Sequence, residues 1–332
     1  MHSLMTMRRR SLLGVAAGAL ATPFAAFPQP RGKVWRVGVL RPGPDDAVFR
    51  VNVVPFVAAL REFGFIEGAN LKLEYRVRPG TADEMLALAN DLVSEKVDAI
   101  LAIATPGATA ARRATATVPI VAVDLESDPI ALKLAASLAR PGGNVTGVFL
   151  DLPELGGKWL ELLREIVPKL ARVAALWDPG TGLYMINGAE TAGGSMGVTV
   201  YRHEVRAPAE FERAFQAAAA QNAQSVLALS SPVFNSANKL IASLAIEHRL
   251  PAVMPFPGFA DNGGLMAYGP DLKVLFNQAG AAMAKVLRGV RPADIPIERP
   301  TRFELAINLR TAKAIGVAFP QSVLVRADRV IE

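Results

Sequence analysis

Lys33-Val34-Trp35-Arg36-Val37-Gly38-Val39-Leu40 alternates, ends apolar, and runs into Arg41-Pro42-Gly43-Pro44-Asp45. This reads as a buried strand followed by a loop at its carboxyl end. Helical spacing of Val53, Phe56, Val57 and Leu60 follows, with Gly64 as a stop. The rhythm then repeats. Leu71 to Tyr75 reads as a strand, and Thr81 with Glu84 as the capping box of a helix carrying Met85, Leu88 and Leu92. Val97 to Ile103 and Val118 to Val123 read as strands around a helix from Pro106 to Ala114. A helix from Ile130 to Leu138 and a strand from Val145 to Phe149 close the first series. A second series runs from a helix beginning at Pro153 to a long helix over Leu272 to Leu287, with one helix expected over Asn235 to His248. Strands alternating with helices of this length imply parallel sheets covered on both faces. The expected fold class is therefore α/β, with two doubly wound, Rossmann-like lobes dividing near residue 150. Ile297 to Leu305 reads as an extended segment between helices, suited to a chain that crosses between lobes more than once and so forms a hinge.

Ahead of the first strand, Arg8-Arg9-Arg10-Ser11-Leu12-Leu13 opens an Ala/Leu-rich run that ends in Pro28-Gln29-Pro30. A basic start, a short apolar stretch and this punctuation have the layout of an export signal over residues 1–30, by a twin-arginine or general secretory route. The apolar run is shorter than the roughly 20 residues that span a bilayer. The expected location of the mature chain is the periplasm. Three of the net +6 charges lie at Arg8, Arg9 and Arg10, so the remainder is only mildly basic and no nucleic-acid partner is expected. The chain has no cysteine, which excludes disulfides, thiolate nucleophiles and sulfur-ligated zinc.

Catalytic patterns are weak. His203 ends a strand and His248 ends a helix, neither beside a candidate nucleophile. Gly193-Gly194-Ser195-Met196-Gly197 lies late in a helix rather than on a strand-to-helix elbow. Asn144-Val145-Thr146 matches a glycosylation sequon, a tripeptide common by chance. The acidic run Asp124-Leu125-Glu126-Ser127-Asp128-Pro129 follows a buried strand. It could ligate a hard cation, receive an ammonium group, or be a solvated loop with Asp128 capping the next helix.

Topology gives the better guide, because open parallel sheets bind ligands beyond the carboxyl ends of their strands. Those ends carry Pro42, Thr105, Asp124, Glu126 and Asp128 in the first half. In the second they carry Asp178, Ser230, Ser231, Phe256 and Tyr268. These are the candidate ligand-binding residues. Thr105 and Ser231 precede Pro-started helices whose free N–H groups suit a carboxylate. Phe256, Tyr268 and Trp177 could wall an apolar moiety. No catalytic set, metal or cofactor is expected.

Leu138-Ala139-Arg140-Pro141-Gly142-Gly143-Asn144-Val145-Thr146-Gly147 resembles the signature of a large bacterial family of ABC-transporter substrate-binding proteins, one with tryptophan- and tyrosine-binding members. Similar agreement is found at Arg172 to Pro179, Gly263 to Gly269, Pro300 to Leu309 and Leu324 to Glu332. The resemblance implies a type I periplasmic-binding fold, with lobes over 33–149 plus 270–299 and over 150–269 plus 300–332, and a ligand cleft between them. It further implies a monomeric, non-enzymatic receptor that presents a small polar molecule, an amino acid or related amine or acid, to an ABC permease. Asp124 and Glu126 depart from the family's usual apolar stretch; if they face the cleft, they favour a cationic or amine-bearing ligand over an aromatic amino acid. An exported α/β enzyme and a ligand-sensing subunit of a signalling receptor are the alternatives left by the sequence.

Overall fold

The computed structural model describes residues 32–150 and 154–332. The export-signal segment and Pro153 lie outside the described residues. The chain opens with β1 (Trp35–Pro42), α1 (Ala47–Glu62), β2 (Leu71–Arg78), α2 (Ala82–Ser94) and β3 (Ala99–Ile103). It continues through α3 (Ala104–Ala114), β4 (Ile120–Asp124) and β5 (Val145–Phe149). These strands form a five-stranded parallel sheet in the order β2-β1-β3-β4-β5. Then follow α4 (Leu155–Ile166), β6 (Arg172–Trp177), α5 (Tyr184–Met196), β7 (Thr199–Glu204), α6 (Phe211–Ala220) and β8 (Ser225–Ala228). Next are α7 (Pro232–Ser236), α8 (Asn238–Glu247), β9 (Ala252–Met254), α9 (Gly258–Asp261), β10 (Met266–Gly269) and α10 (Leu272–Leu287). The chain closes with β11 (Glu304–Asn308), α11 (Leu309–Ile315), α12 (Gln321–Arg326) and β12 (Arg329–Ile331). The second sheet has seven strands, ordered β12-β11-β10-β9-β8-β6-β7. The molecule therefore has two α/β lobes.

The two-sided covering expected from the sequence is visible strand by strand. Along β3, Ala99, Leu101 and Ile103 pack into the layer that contains Phe49, Phe56 and Phe276 of α1 and α10. Ile100 and Ala102 face the other way, onto Met85, Leu92 and Ala108 of α2 and α3. Successive side chains point to opposite faces, so a strand covered on both must be apolar throughout. In the second sheet Leu227 and Leu229 turn toward Leu160 and Ile186 of α4 and α5. Val226 and Ala228 turn toward Phe211, Phe215 and Ile241 of α6 and α8.

Start signals hold where side chains satisfy the first N–H groups. Thr81 Oγ1 accepts from Glu84 N at 3.3 Å and Glu84 Oε2 from Thr81 N at 2.7 Å, the expected capping box. Asp46 accepts from Phe49 N at 2.8 Å and so caps α1.

Three expectations are corrected. Residues 130–138 form a turn through residue 133 and then bends and irregular chain, rather than a helix. Asp128 Oδ1 accepts from Ile130 N and Ala131 N at 2.7 and 3.1 Å, Lys133 adopts φ 56°, and Leu134 N donates back to Pro129 O. An Asx turn thus consumes the N–H groups that would start a helix. The helix expected over Asn235 to His248 is two, α7 and α8, divided at Ala237, because Ser231 starts the first by accepting from Val233 N. The second sheet is not wholly parallel: β11 runs antiparallel to β10.

Ile297 to Leu305 is extended as expected, and it joins the sheets. Glu298 pairs with β5, donating to Gly147 O at 2.9 Å and accepting from Phe149 N at 3.0 Å. From Glu304 the same segment pairs with β10. Packing leaves little slack here. Gly147 has φ +138°, and a Cβ on it would lie 2.0 Å from Ala122 O of β4. Gly280 of α10 would place its Cβ 2.6 Å from Phe56 O, which allows α1 and α10 to touch. Gly147→Ala should destabilise the protein by about 3 kcal/mol or more, through a backbone clash and a φ that alanine resists. Chemical denaturation would measure it, and a midpoint unchanged from the wild type would refute this account.

Candidate ligand-binding site

The carboxyl ends of both sheets converge on one small cavity. Its walls include Arg41, Phe49, Ala104 and Glu126 from the first lobe, and Ser230, Ser231 and Phe256 from the second. Its volume is about 40 Å³, room for about three waters at roughly 10–15 Å³ each. Three hydrogen bonds close it from lobe to lobe. Ser230 Oγ lies 2.5 Å from Glu126 Oε1. Arg41 Nη2 donates to Pro232 O and Ser236 Oγ, both at 3.3 Å, while Nη1 donates to Pro44 O at 2.5 Å.

Arg41 is only 3% exposed, and its guanidinium stacks 4.7 Å from the centroid of the Phe49 ring. All its acceptors are neutral. Among the described residues no carboxylate lies within 4.0 Å of it. Burial lowers its pKa to about 10, against the pull of Asp46, Asp45 and Glu126. It remains a cation at neutral pH.

The acidic run is buried rather than solvated. Asp124 is fully buried and Glu126 is 4% exposed. Asp124 Oδ1 accepts from Thr105 Oγ1 at 2.8 Å and from Glu126 N at 3.1 Å, and Oδ2 from Ser127 Oγ at 2.7 Å. Glu126 faces the cavity and Asp124 sits behind it. Burial raises the pKa of both. For Glu126, burial and the neighbouring Asp124 charge push it up to about 8, with the Ser230 bond opposing. Asp178 is raised too, chiefly by burial. It accepts from Ser231 Oγ at 2.6 Å and from Gly180 N at 2.9 Å.

The candidates from the sequence thus occupy different places. Glu126, Ser230, Ser231 and Phe256 line the cavity. Thr105, Asp124 and Asp178 stand behind it, each bonded to a residue of the wall or its loop. Pro42 lies on β1 beside Arg41, and Asp128 is engaged in its Asx turn. Tyr268 stacks on Phe303 at 5.9 Å and lines a separate recess with Leu155 and Lys158. Trp177 donates its indole N–H to Gly182 O. Thr105 is inside the first turn of α3 rather than before it, and its hydroxyl serves Asp124. Ala104, at the start of that turn, has φ 61°. Left-handed backbone at a residue with a Cβ is a local strain that the surroundings must hold, here at the cavity wall. Arg41, Phe49, Asn52 and Asn235 also line the cavity and were not singled out from sequence. A cation closing a buried strand was the available signal at Arg41.

The sequon residues are committed elsewhere. Asn144 Nδ2 donates to Thr115 O and Val118 O, and Thr146 Oγ1 to Ile295 O, all out of solvent. His203 is buried on β7 and His248 stacks on Phe215, both outside the cavity wall.

The model of the family described as ABC transporter substrate binding protein matches residues 37–331. The chain belongs to this family. Among curated relatives of this substrate-binding protein is one named tyrosine-binding protein, from Clostridioides difficile strain R20291. It is 27% identical over 269 residues, covering 79% of this chain and 75% of the relative. Among the solved structures that share its fold are the following two. One is a conserved domain protein from Vibrio cholerae O1 biovar El Tor, with TM-score 0.81 and 24% identity, covering 90% of this chain and 100% of that one. The other is an ABC domain in complex with L-Trp from Streptococcus pneumoniae, with TM-score 0.79 and 23% identity, covering 90% and 99%. The fold is that of type I periplasmic binding proteins.

Glu126 also makes stability depend on pH. Its folded pKa lies above its ordinary value of 4.5, so between about pH 4.5 and 8 the folded protein holds a proton that the unfolded chain has released. Stability therefore falls as pH rises through that window. Glu126→Gln should flatten this fall. Urea midpoints from pH 5 to 8 that decline equally in wild type and variant would rule it out.

Proposed function

We propose that this protein is the periplasmic solute receptor of an ABC importer. It captures a small zwitterion of the amino-acid class between its lobes, by hinge closure, for delivery to the permease. The observation that carries this reading is the pairing of opposite charges in one cavity. A buried guanidinium without a carboxylate partner, Arg41, and a buried carboxyl, Glu126, share its wall with Phe49 and Phe256. An α-amino acid with an apolar side chain offers a group to each of these: carboxylate to Arg41, ammonium to Glu126, side chain to the rings. Ser230 supplies a neutral hydrogen bond from the other lobe, while the Ser231 hydroxyl is held by Asp178. Asp124, Thr105 and Asp178 hold these groups in position. The names of the relatives, a tyrosine-binding protein and a structure in complex with L-Trp, agree with this ligand class.

The cavity is small against the roughly 300–1,000 Å³ of ordinary ligand pockets. The lobes must part to admit a ligand, giving up the Glu126–Ser230 and Arg41–Pro232 bonds. Ligand contacts that span both lobes then favour the closed arrangement over the open one.

A thermal-shift screen of amino acids, amines, purines and small organic acids tests the reading. A ligand at 100 times its dissociation constant adds about 2.7 kcal/mol of stability. Amino acids should raise the melting temperature and purines should not. A panel in which no amino acid shifts it would defeat the proposal. Asp124→Asn and Glu126→Gln should each weaken the ligand found, and unchanged affinity in both would remove the acidic pair from the site.

A further inference from the structure

Asp124 and Glu126 form an unusual pair for a soluble cavity. Both are out of water, and the backbone N–H of Glu126 donates to Asp124. Among the described residues no Lys, Arg or His nitrogen comes within 4.0 Å of either carboxylate. The donors that reach them are neutral: Thr105 and Ser127 to Asp124, and Ser230 to Glu126. Two adjacent carboxylates without a cation cannot both stay ionised at little cost. The neighbouring elements supply no remedy. β1 brings Arg41, whose bonds go to carbonyls and a hydroxyl and to neither carboxylate of the pair. Just ahead of α1, Asp45 and Asp46 lie near that guanidinium, with Asp45 paired to Arg50 of α1, and the end of β6 brings Asp178, bonded to Ser231. α10 contributes Leu272 and Phe276.

We infer that in the ligand-free protein Asp124 and Glu126 hold a single proton between them, and that the ammonium group of the ligand takes that proton's place. The proton leaves to solvent as the ammonium arrives. One proton on two carboxyls and one ammonium against two carboxylates both sum to a single negative charge, so the charge at the acidic pair is conserved through binding. The pair thereby selects for a cationic group, since a ligand without one would leave the proton where it was. This rests on the receptor reading above and assigns the group that the acidic loop recognises.

Isothermal titration calorimetry of the full protein, in buffers of differing ionisation enthalpy, gives the test. The probes are L-tyrosine, L-tryptophan and 3-(4-hydroxyphenyl)propionate, which lacks the amine. Below about pH 8, where Glu126 titrates, each amino acid should release close to one proton. Affinity should then fall nearly tenfold per pH unit as the solution is made more acid. The des-amino acid should release none, and Glu126→Gln should abolish the release. Proton release that is zero for the amino acids, or undiminished in Glu126→Gln, overturns the inference. Asp124→Asn, which also breaks the pair, serves if the first variant does not fold. Carbon-13 NMR of the ligand-free protein decides the shared proton independently. The carboxyl signal lost in Glu126→Gln should titrate near pH 8, and titration in the ordinary carboxylate range refutes it. If none of the amino acids binds, the receptor reading fails while this titration still decides the protonation of the pair.

Discussion

Closing two sheets against each other at their carboxyl ends takes charged groups out of water, and the architecture of the cavity answers that constraint. Removing an isolated ion from water costs several kcal/mol even after the protein relaxes. Hydrogen bonds to a charged group return roughly 1.5–3 kcal/mol each. Arg41 meets the cost with acceptors from both lobes, and its bonds to Pro232 and Ser236 form only when the lobes are together. Glu126 meets it partly through Ser230, again from the other lobe. The same contacts that satisfy buried charge therefore record whether the cleft is shut.

Much of this fold was readable because the strands are buried on both faces. That requirement makes β3 wholly apolar, and β4 and β5 nearly so, with Asp124 at the end of β4 and Thr146 within β5 as the polar exceptions. The candidate loops could be located for the same reason. What failed was local competition. Ile130, Leu134 and Leu138 have helical spacing, yet Asp128 and Lys133 divert the backbone into turns, and periodicity does not register that rivalry. The role of Arg41 was hidden for a different reason. Its acceptor Pro232 is 191 residues away, and in sequence an arginine at a strand end looks like any solvated cation. The acidic loop was ambiguous because a run of carboxylates reads alike whether it faces water or is sealed. Only the packing of β4 against its neighbours distinguishes the cases.

A substrate-binding protein has to hold its ligand firmly and still release it, so its affinity must be tied to something that changes. On the receptor reading proposed above, that tie runs through groups whose charge is costly when the cleft is shut. Thr105, Ser127 and Ser231 are bonded to the carboxylates rather than left free for a ligand. The site is thus built as a layer of charged or aromatic groups, backed by a layer that fixes their positions.

The segment from Ile297 to Leu305 sets the mechanics. One end is hydrogen-bonded alongside β5 and the other is a strand of the opposite sheet, so neither end can slide. Only the few residues from Arg299 to Phe303 remain to absorb a change in the angle between the sheets, and Pro300 fixes one of their backbone torsions. A tether of this kind behaves as a short torsion bar rather than a rope. It lets one body twist about the other while denying them the freedom to drift apart.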